Sequence, residues 1–81
     1  MGKLRLLSIK GDRTVLWDQK QAETGDPEAE RAVREAERIF HESLRNGATA
    51  FRVSPDTPAT RIDRFEPDAD QIVVVPRVAG G

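Results

Sequence analysis

The apolar positions near the start of the chain form two short runs that are separated by a turn signal. The runs KLRLLSIK and RTVLWD flank Gly11-Asp12 within residues 3–18. A two-residue link that begins with glycine is typical of a β-hairpin, because Gly11 can adopt a positive φ without steric strain. The pattern therefore predicts two antiparallel strands.

The next apolar pattern has the three- and four-residue spacing of an amphipathic helix. It follows the polar stretch QKQAETG and consists of Ala29, Ala32, Val33, Ala36, Ile39, Phe40 and Leu44. Asp26 fits the N-cap, Pro27 fits the first helical position, and Asn46-Gly47 is a C-terminal stop. The sequence predicts one long helix over residues 27–46, and no second helical period is visible.

Three segments after the helix predict strands. ATAFRVS alternates, with Phe51 and Val53 on one face, and ATRIDRF predicts a short edge strand. Between and after them, the two prolines of SPDTPAT predict a loop and FEPDAD predicts a turn. The uninterrupted apolar run from Ile72 to Val75 is typical of a central strand.

This order of elements predicts a two-layer α+β domain. One helix covers one face of a mixed sheet of four to five strands. We expect the last strand in the centre of the sheet, beside the first strand and parallel to it, because it is the most apolar. The arrangement resembles the β-grasp, which is the fold of ubiquitin.

One face of such a sheet has no helix to cover it, yet both central strands carry apolar residues at both parities. Side chains alternate between faces along a strand. The predicted apolar patch on the open face consists of Leu7, Ile9, Val73 and Val75, extended by Leu16 or Trp17. It is interpreted as a partner surface, and cover by loops such as SPDTPAT or a homodimer stays open as the alternative.

Composition and charge narrow the possible functions. The 81 residues correspond to one domain, and the absence of cysteine excludes disulfides, thiolate metal sites and a cysteine nucleophile. Thirteen basic and fourteen acidic residues give a net charge of -1, which argues against a nucleic-acid partner. No apolar stretch reaches the roughly 18 residues of a membrane span, and MGKLRLLSIKGD has no long apolar region. We expect a cytoplasmic protein with no membrane partner.

The residues most often used in active sites form no convincing site here. His41 is the only histidine and is expected on the solvated stripe of the helix. The carboxylates of Asp63, Glu66, Asp68 and Asp70 lack the spacing of a calcium loop, and no nucleotide-binding glycine motif occurs. The aromatic residues, expected in the core, are Trp17, Phe40, Phe51 and Phe65. We therefore expect neither catalysis nor a directly bound cofactor.

The final stretch VVVPRVAGG is similar to the C-terminal ends of ubiquitin-like proteins and of prokaryotic sulfur carriers. It most resembles the small subunit of molybdopterin synthase, whose members end in a strand, prolines, two small or apolar residues and Gly-Gly. The resemblance implies a ubiquitin-like β-grasp domain over residues 1–76 and a flexible tail over residues 77–81. Pro76 would end the pairing of the last strand, because proline has no N–H.

The resemblance also implies a small carrier or modifier that performs no catalysis itself. In these families an adenylating, E1-like partner uses ATP to activate the terminal carboxylate, which becomes a thiocarboxylate or is joined to a lysine. Carried over to this chain, Gly81 is the activated residue, and Gly80 and Ala79 pass through the channel of the partner. Val78 and Arg77 would contact the partner near the mouth of that channel. Glycine suits a narrow channel because it has no Cβ.

A second interpretation belongs to a different class of function. The chain would then be a non-conjugated ubiquitin-like interaction module of the kind found in bacterial and phage genomes. It would bind partners through the open sheet face, and its tail would never be activated. We expect a monomer or a weak dimer in either case.

Overall fold

The computed structural model describes residues 1–8 and 10–77. The predictions for Ile9 and for Val78, Ala79, Gly80 and Gly81 therefore lie outside the described residues. The strands are β1 (Gly2–Leu6), β2 (Arg13–Trp17), β3 (Thr49–Ser54), β4 (Thr57–Ile62) and β5 (Gln71–Val75). The helices are α1 (Gln19–Glu23) and α2 (Pro27–Arg45).

The five strands form one mixed sheet in the order β2-β1-β5-β3-β4. β5 lies in the centre, parallel to β1 and antiparallel to β3. The outer pairs, β1 with β2 and β3 with β4, are antiparallel. The α+β class is thus confirmed, and so are the central position of the last strand and its parallel pairing with the first.

The connection between β1 and β2 is longer than predicted. The strands end and begin at Leu6 and Arg13, so the prediction of a two-residue link at Gly11-Asp12 was wrong. The N–H of Leu7 donates to the carbonyl of Val74 at 3.0 Å, so the chain follows β5 beyond its pairing with β2. Gly11, with φ of 121°, then closes the turn.

The short helix α1 was not predicted. The carboxylate of Asp18 caps it by accepting from the N–H of Gln21 at 3.1 Å. None of its five residues is buried, so the segment leaves no apolar periodicity in the sequence. Asn and Asp side chains at N-caps stabilise a first turn without needing an apolar face.

The long helix α2 has the predicted boundaries to within one residue. The side chain of Asp26 caps it by accepting from the N–H of Glu28 at 3.1 Å, and Pro27 occupies the first turn. At the other end, Asn46 is the C-cap and Gly47 has φ of 94°. The helix buries Ala29, Ala36, Ile39 and Phe40, and Ala32, Val33 and Leu44 pack at the edge of the core.

The β3–β4 connection is shorter than predicted. The loop expected over SPDTPAT shrinks to a turn at Pro55-Asp56, because β4 already begins at Thr57. Pro58 lies inside β4, which is an edge strand, where a residue without an N–H need not interrupt the ladder. The prediction of a loop over residues 57–60 was therefore wrong.

Trp17 connects β2 to the segment that leads into β5. Its side chain is 1% exposed, and its Nε1–H donates to the carbonyl of Pro67 at 2.9 Å. The Phe65 ring lies 5.3 Å from the Trp17 ring between centroids. A Cβ added to Gly2, the partner of Trp17 across the β1–β2 ladder, would lie 2.2 Å from Cε2 of this ring. The Trp17 indole thus occupies the space that a side chain at residue 2 would fill.

We predict that Gly2→Ala destabilises the fold by about 1–3 kcal/mol, because the new methyl group overlaps a buried ring that has little room to move. Denaturant unfolding followed by Trp17 fluorescence measures the change. Lys3→Ala, one position along the strand on an exposed side chain, is the control and should stay within about 0.5 kcal/mol. Equal unfolding midpoints for Gly2→Ala and the original chain would contradict this role of Gly2.

Candidate functional site

The sheet face opposite α2, here named the open face, carries the strand residues that alternate with the core. In β5, Ile72 and Val74 are buried on the helix side, so Val73 and Val75 lie on the open face. The registers of the four ladders extend this face across the sheet. Its strand residues are Lys3, Arg5, Thr14, Leu16, Thr49, Phe51, Val53, Arg61, Gln71, Val73 and Val75.

The apolar part of the open face is larger than the sequence alone indicated. Val73, Val75, Phe51 and Val53 are half-buried, and Leu16 is 53% exposed. Phe51 was expected in the core, and that prediction was wrong, because residue 51 pairs with Val73 on the face that no helix covers. A contiguous apolar area on a solvated sheet face is a candidate partner surface.

Trp17 and Leu7 were both considered for the apolar patch from the sequence, and the structure describes both residues. Trp17 is in the core, so Leu16 is the β2 residue that belongs to the open face. Leu7 follows β1, is half-buried, and extends the parallel pairing through its N–H bond to Val74. That this face binds a partner stays a prediction.

One row of the ladder crosses the open face from β1 to β4. Arg5 pairs with Val73, Val73 pairs with Phe51, and Phe51 pairs with Arg61. Two apolar side chains in the middle of the sheet are thus flanked by an arginine on either side. We refer to Arg5, Val73, Phe51 and Arg61 as the central row.

The charges on the open face are all of one sign. Lys3, Arg5 and Arg61 are basic, and none of the described strand positions on this face holds an Asp or Glu. Acids lie at the margins of the face, and Asp63 directly follows the end of β4. Asp70 shares a shallow hollow with Lys3, and Asp12 accepts from Arg5 Nη2 at 2.8 Å and Nε at 3.2 Å. The charged strand residues of this face are thus basic in a chain whose net charge is -1, and Asp12 offsets the charge of Arg5.

The Arg5–Asp12 contact has an electrostatic consequence. The hydrogen bond from the Arg5 guanidinium, with a further bond from the N–H of Ser8, holds the pKa of the Asp12 carboxyl below its ordinary value. Both donors stabilise the charged carboxylate. Asp12 therefore stays ionised beside the open face at neutral pH.

The start of the tail is positioned by a close contact with the helix end. A Cβ added to Gly47 would lie 3.1 Å from Cδ of Arg77 and 3.6 Å from its Cβ. The aliphatic stem of Arg77 thus lies across the glycine that follows the C-cap of α2. Arg77 is the last described residue and the one predicted tail residue whose place is known.

The other candidate residues do not form a site. The Nε2 atom of His41 lies 3.7 Å from Oε2 of Glu37 on the exposed side of α2. The Glu66 carboxylate forms a salt bridge with Arg52, with 2.8 Å between Oε1 and Nη1. Within residues 1–8 and 10–77, no group of three or more His, Cys, Asp or Glu side chains could hold a metal ion. In the same part of the chain, no helix is long and apolar enough to cross a membrane.

Comparisons with protein-family models, with curated proteins and with solved structures found no match for this chain. Arguments about function therefore rest on its own residues. Val73 and Val75 lie on the open face as predicted, whereas its flanking arginines were not predicted. The alternation of Lys3 and Arg5 with Leu4 and Leu6 was a signal for the β1 side, but the place of Arg61 depends on the register of β4.

We predict that Gly47→Ala displaces Arg77, whereas Gly25→Ala does not. Both glycines have a similar positive φ, 94° and 90°, so both variants should lose about 1 kcal/mol from backbone strain. A Cβ at Gly25 meets nothing within 4 Å, which makes Gly25→Ala a matched control. Amide and side-chain Nε–H resonances of Arg77, followed by NMR, should shift only in Gly47→Ala. Unchanged Arg77 resonances in both variants would contradict the contact.

We also predict that Arg5→Ala raises the pKa of Asp12 toward its ordinary value. Because the folded-state pKa of Asp12 is lowered, the contact stabilises the fold above the ordinary pKa and loses this effect as the pH falls through the lowered one. Carboxyl-carbon NMR titration measures the shift. Arg13→Ala is the control, because Arg13 contacts Glu35 instead. The same Asp12 titration in Arg5→Ala and the original chain would disprove the assignment.

Proposed function

We propose that this chain is a ubiquitin-like carrier or modifier with a β-grasp fold, whose Gly81 carboxylate is activated by an adenylating, E1-like partner. The observation that carries the proposal is the central, parallel position of β5, which leads directly into PRVAGG. Of the two outcomes of activation, sulfur transfer is favoured over conjugation because of the PRVAGG ending. The sheet order and the Gly-Gly tail together support the proposal more strongly than either does alone.

The geometry before the tail suits this role. β5 is held on both sides by β1 and β3, and its Ile72 and Val74 are 0% exposed, so the tail departs from a rigid base. Pro76 has no N–H to continue the ladder. The stem of Arg77 lies against Gly47. A partner that binds the domain would therefore meet the first residue of the tail, Arg77, at a fixed position.

The proposed chemistry takes place at the tail and in the partner. A carboxylate oxygen of Gly81 attacks the α-phosphorus of ATP, and pyrophosphate leaves. Hydrosulfide, or a lysine amine, then attacks the acyl carbon, and AMP leaves with the loss of a proton, which gives a thiocarboxylate or an amide. The partner binds ATP, and this domain supplies the acyl group and a docking surface. The proposal requires a free carboxylate on Gly81.

We predict that protein purified from its native host carries a modification at Gly81, measured by intact mass and by fragmentation of the tail. An exchange of oxygen for sulfur at the terminus indicates a sulfur carrier, and a branched Gly81 peptide on a lysine indicates a modifier. Deletion of Gly80 and Gly81 should abolish the modification without changing the unfolding midpoint. An unmodified carboxylate under every growth condition, including a demand for cofactor synthesis, would eliminate the carrier proposal.

A second candidate function is a non-conjugated interaction module that binds a partner protein through the open face. The observation that favours it is the contiguous apolar area around Val73 and Phe51. This function needs no chemistry at the tail. It is also compatible with a carrier, since an activating partner must bind the domain.

The two functions respond in opposite ways to two changes. Val73→Asp should remove partners that cross-link to the domain in the host, because a charge is then placed in the apolar area. Thr60→Asp, an exposed residue of the edge strand β4, is the matched control. A module keeps its partners after deletion of Gly80 and Gly81, whereas a carrier loses its function. Retained partners in Val73→Asp, with an unchanged melting temperature, would disprove the module.

A further inference from the structure

We propose that the open face binds extended protein segments in which one apolar residue stands between two acidic ones, in the order acid, any residue, apolar, any residue, acid. Arg5 and Arg61 bind the two carboxylates, and Val73 and Phe51 contact the apolar side chain. This inference rests on the second candidate function, in which the open face is a partner surface. It adds the chemistry of the partner.

The charges of the central row favour an acidic partner. The central row places an arginine on both sides of an apolar pair, and no strand position on this face, among the described residues, offers a compensating acid. Guanidinium groups bind carboxylates in a planar, two-pronged geometry. A partner with carboxylates at both sides of its contact would therefore match the face, and a basic partner would be repelled.

The distance between the two arginines matches the spacing of side chains along an extended segment. Arg5 on β1 and Arg61 on β4 are separated by β5 and β3, which are three interstrand steps of about 4.8 Å, or about 14 Å. An extended segment rises about 3.3 Å per residue, so it covers about 13 Å in four residues. Its side chains at the first, third and fifth positions point the same way. The third position then lies above Val73 and Phe51, while the outer two reach the arginines.

Other occupants fit less well. A second copy of this chain would bring the same positive charges together. Anionic membranes bind clusters of about four to eight basic residues, whereas the strands of this face present three, Lys3, Arg5 and Arg61. Nucleic acid is disfavoured by the net charge of -1. The aliphatic centre of the face also offers no aromatic stacking platform beyond Phe51.

Asp12 acts as an internal competitor in this arrangement. Its carboxylate already accepts two hydrogen bonds from Arg5, at 2.8 and 3.2 Å. The Arg5 side chain is half exposed in that contact, so a partner carboxylate can share or replace Asp12. Removal of the Asp12 charge should therefore strengthen the binding of an acidic segment.

The experiment selects a displayed library of random 12-residue peptides on the immobilised full chain. Enriched peptides are synthesised, and their binding is followed by titration and by NMR shifts of backbone amides. We expect acid, any, apolar, any, acid to be enriched, with the largest shifts at Val73 and Phe51. Arg5→Glu/Arg61→Glu should weaken the selected peptides about tenfold or more, since two attractions become repulsions. Asp12→Asn should tighten them.

Controls separate charge from folding. Arg31→Glu/Arg34→Glu makes the same change in net charge on exposed residues of α2 and should leave the affinity unchanged. All variants are checked by thermal unfolding. The library selected on Arg5→Glu/Arg61→Glu should instead enrich basic residues at the two outer positions. That reversal would not arise from a merely unfolded variant.

The remaining outcomes each overturn the inference in a different way. Peptides that bind the open face without a preference for carboxylates would disprove it and leave the interaction module intact. Peptides that bind elsewhere, or no enrichment at all, would disprove both. Sedimentation with vesicles of phosphatidylserine and phosphatidylcholine, in place of peptide enrichment, would indicate a lipid surface instead. None of these results bears on the carrier proposal, which is decided by the mass of the tail.

Discussion

The structure depends on the burial of β5 between β1 and β3. Ile72 and Val74 are completely buried there, on the side where α2 contributes Ile39 and Phe40 to the same core. A parallel pair of strands cannot be joined by a tight turn, so the chain must travel through other elements between β1 and β5. β2, α2, β3 and β4 supply that path, and α2 covers the face that β5 needs covered.

A single covering helix leaves the opposite face of the same strands in solvent. Since side chains alternate, the buried residues Ile72 and Val74 of β5 have open-face neighbours, which are Gln71, Val73 and Val75. Arg5 of β1 lies beside Val73, and Arg61 of β4 lies beside Phe51 of β3. The place of these basic residues on the open face is thus a consequence of the sheet order together with the alternation in each strand.

Trp17 joins the edge of the sheet to its centre. Its ring fills the space that Gly2 leaves, contacts Phe65, and its N–H bonds the carbonyl of Pro67, which is fifty residues away in the chain. The segment that leads into β5 is held in this way without a regular element of its own. With few aromatic residues, one indole takes on both a packing and a hydrogen-bonding role.

The amino-acid sequence by itself determined the elements whose signals are local. The caps at Asp26 and Asn46, the three- and four-residue spacing of α2 and the apolar run of β5 depend on near neighbours, so a pattern could predict them and, with them, the α+β sheet order. Only the tertiary structure decided which residues meet across strands. The central row exists because the register brings Arg5 and Arg61 to either side of Val73 and Phe51. The alternation within one strand can assign a residue to a face, but which residues meet across strands depends on the pairing with the neighbouring strands.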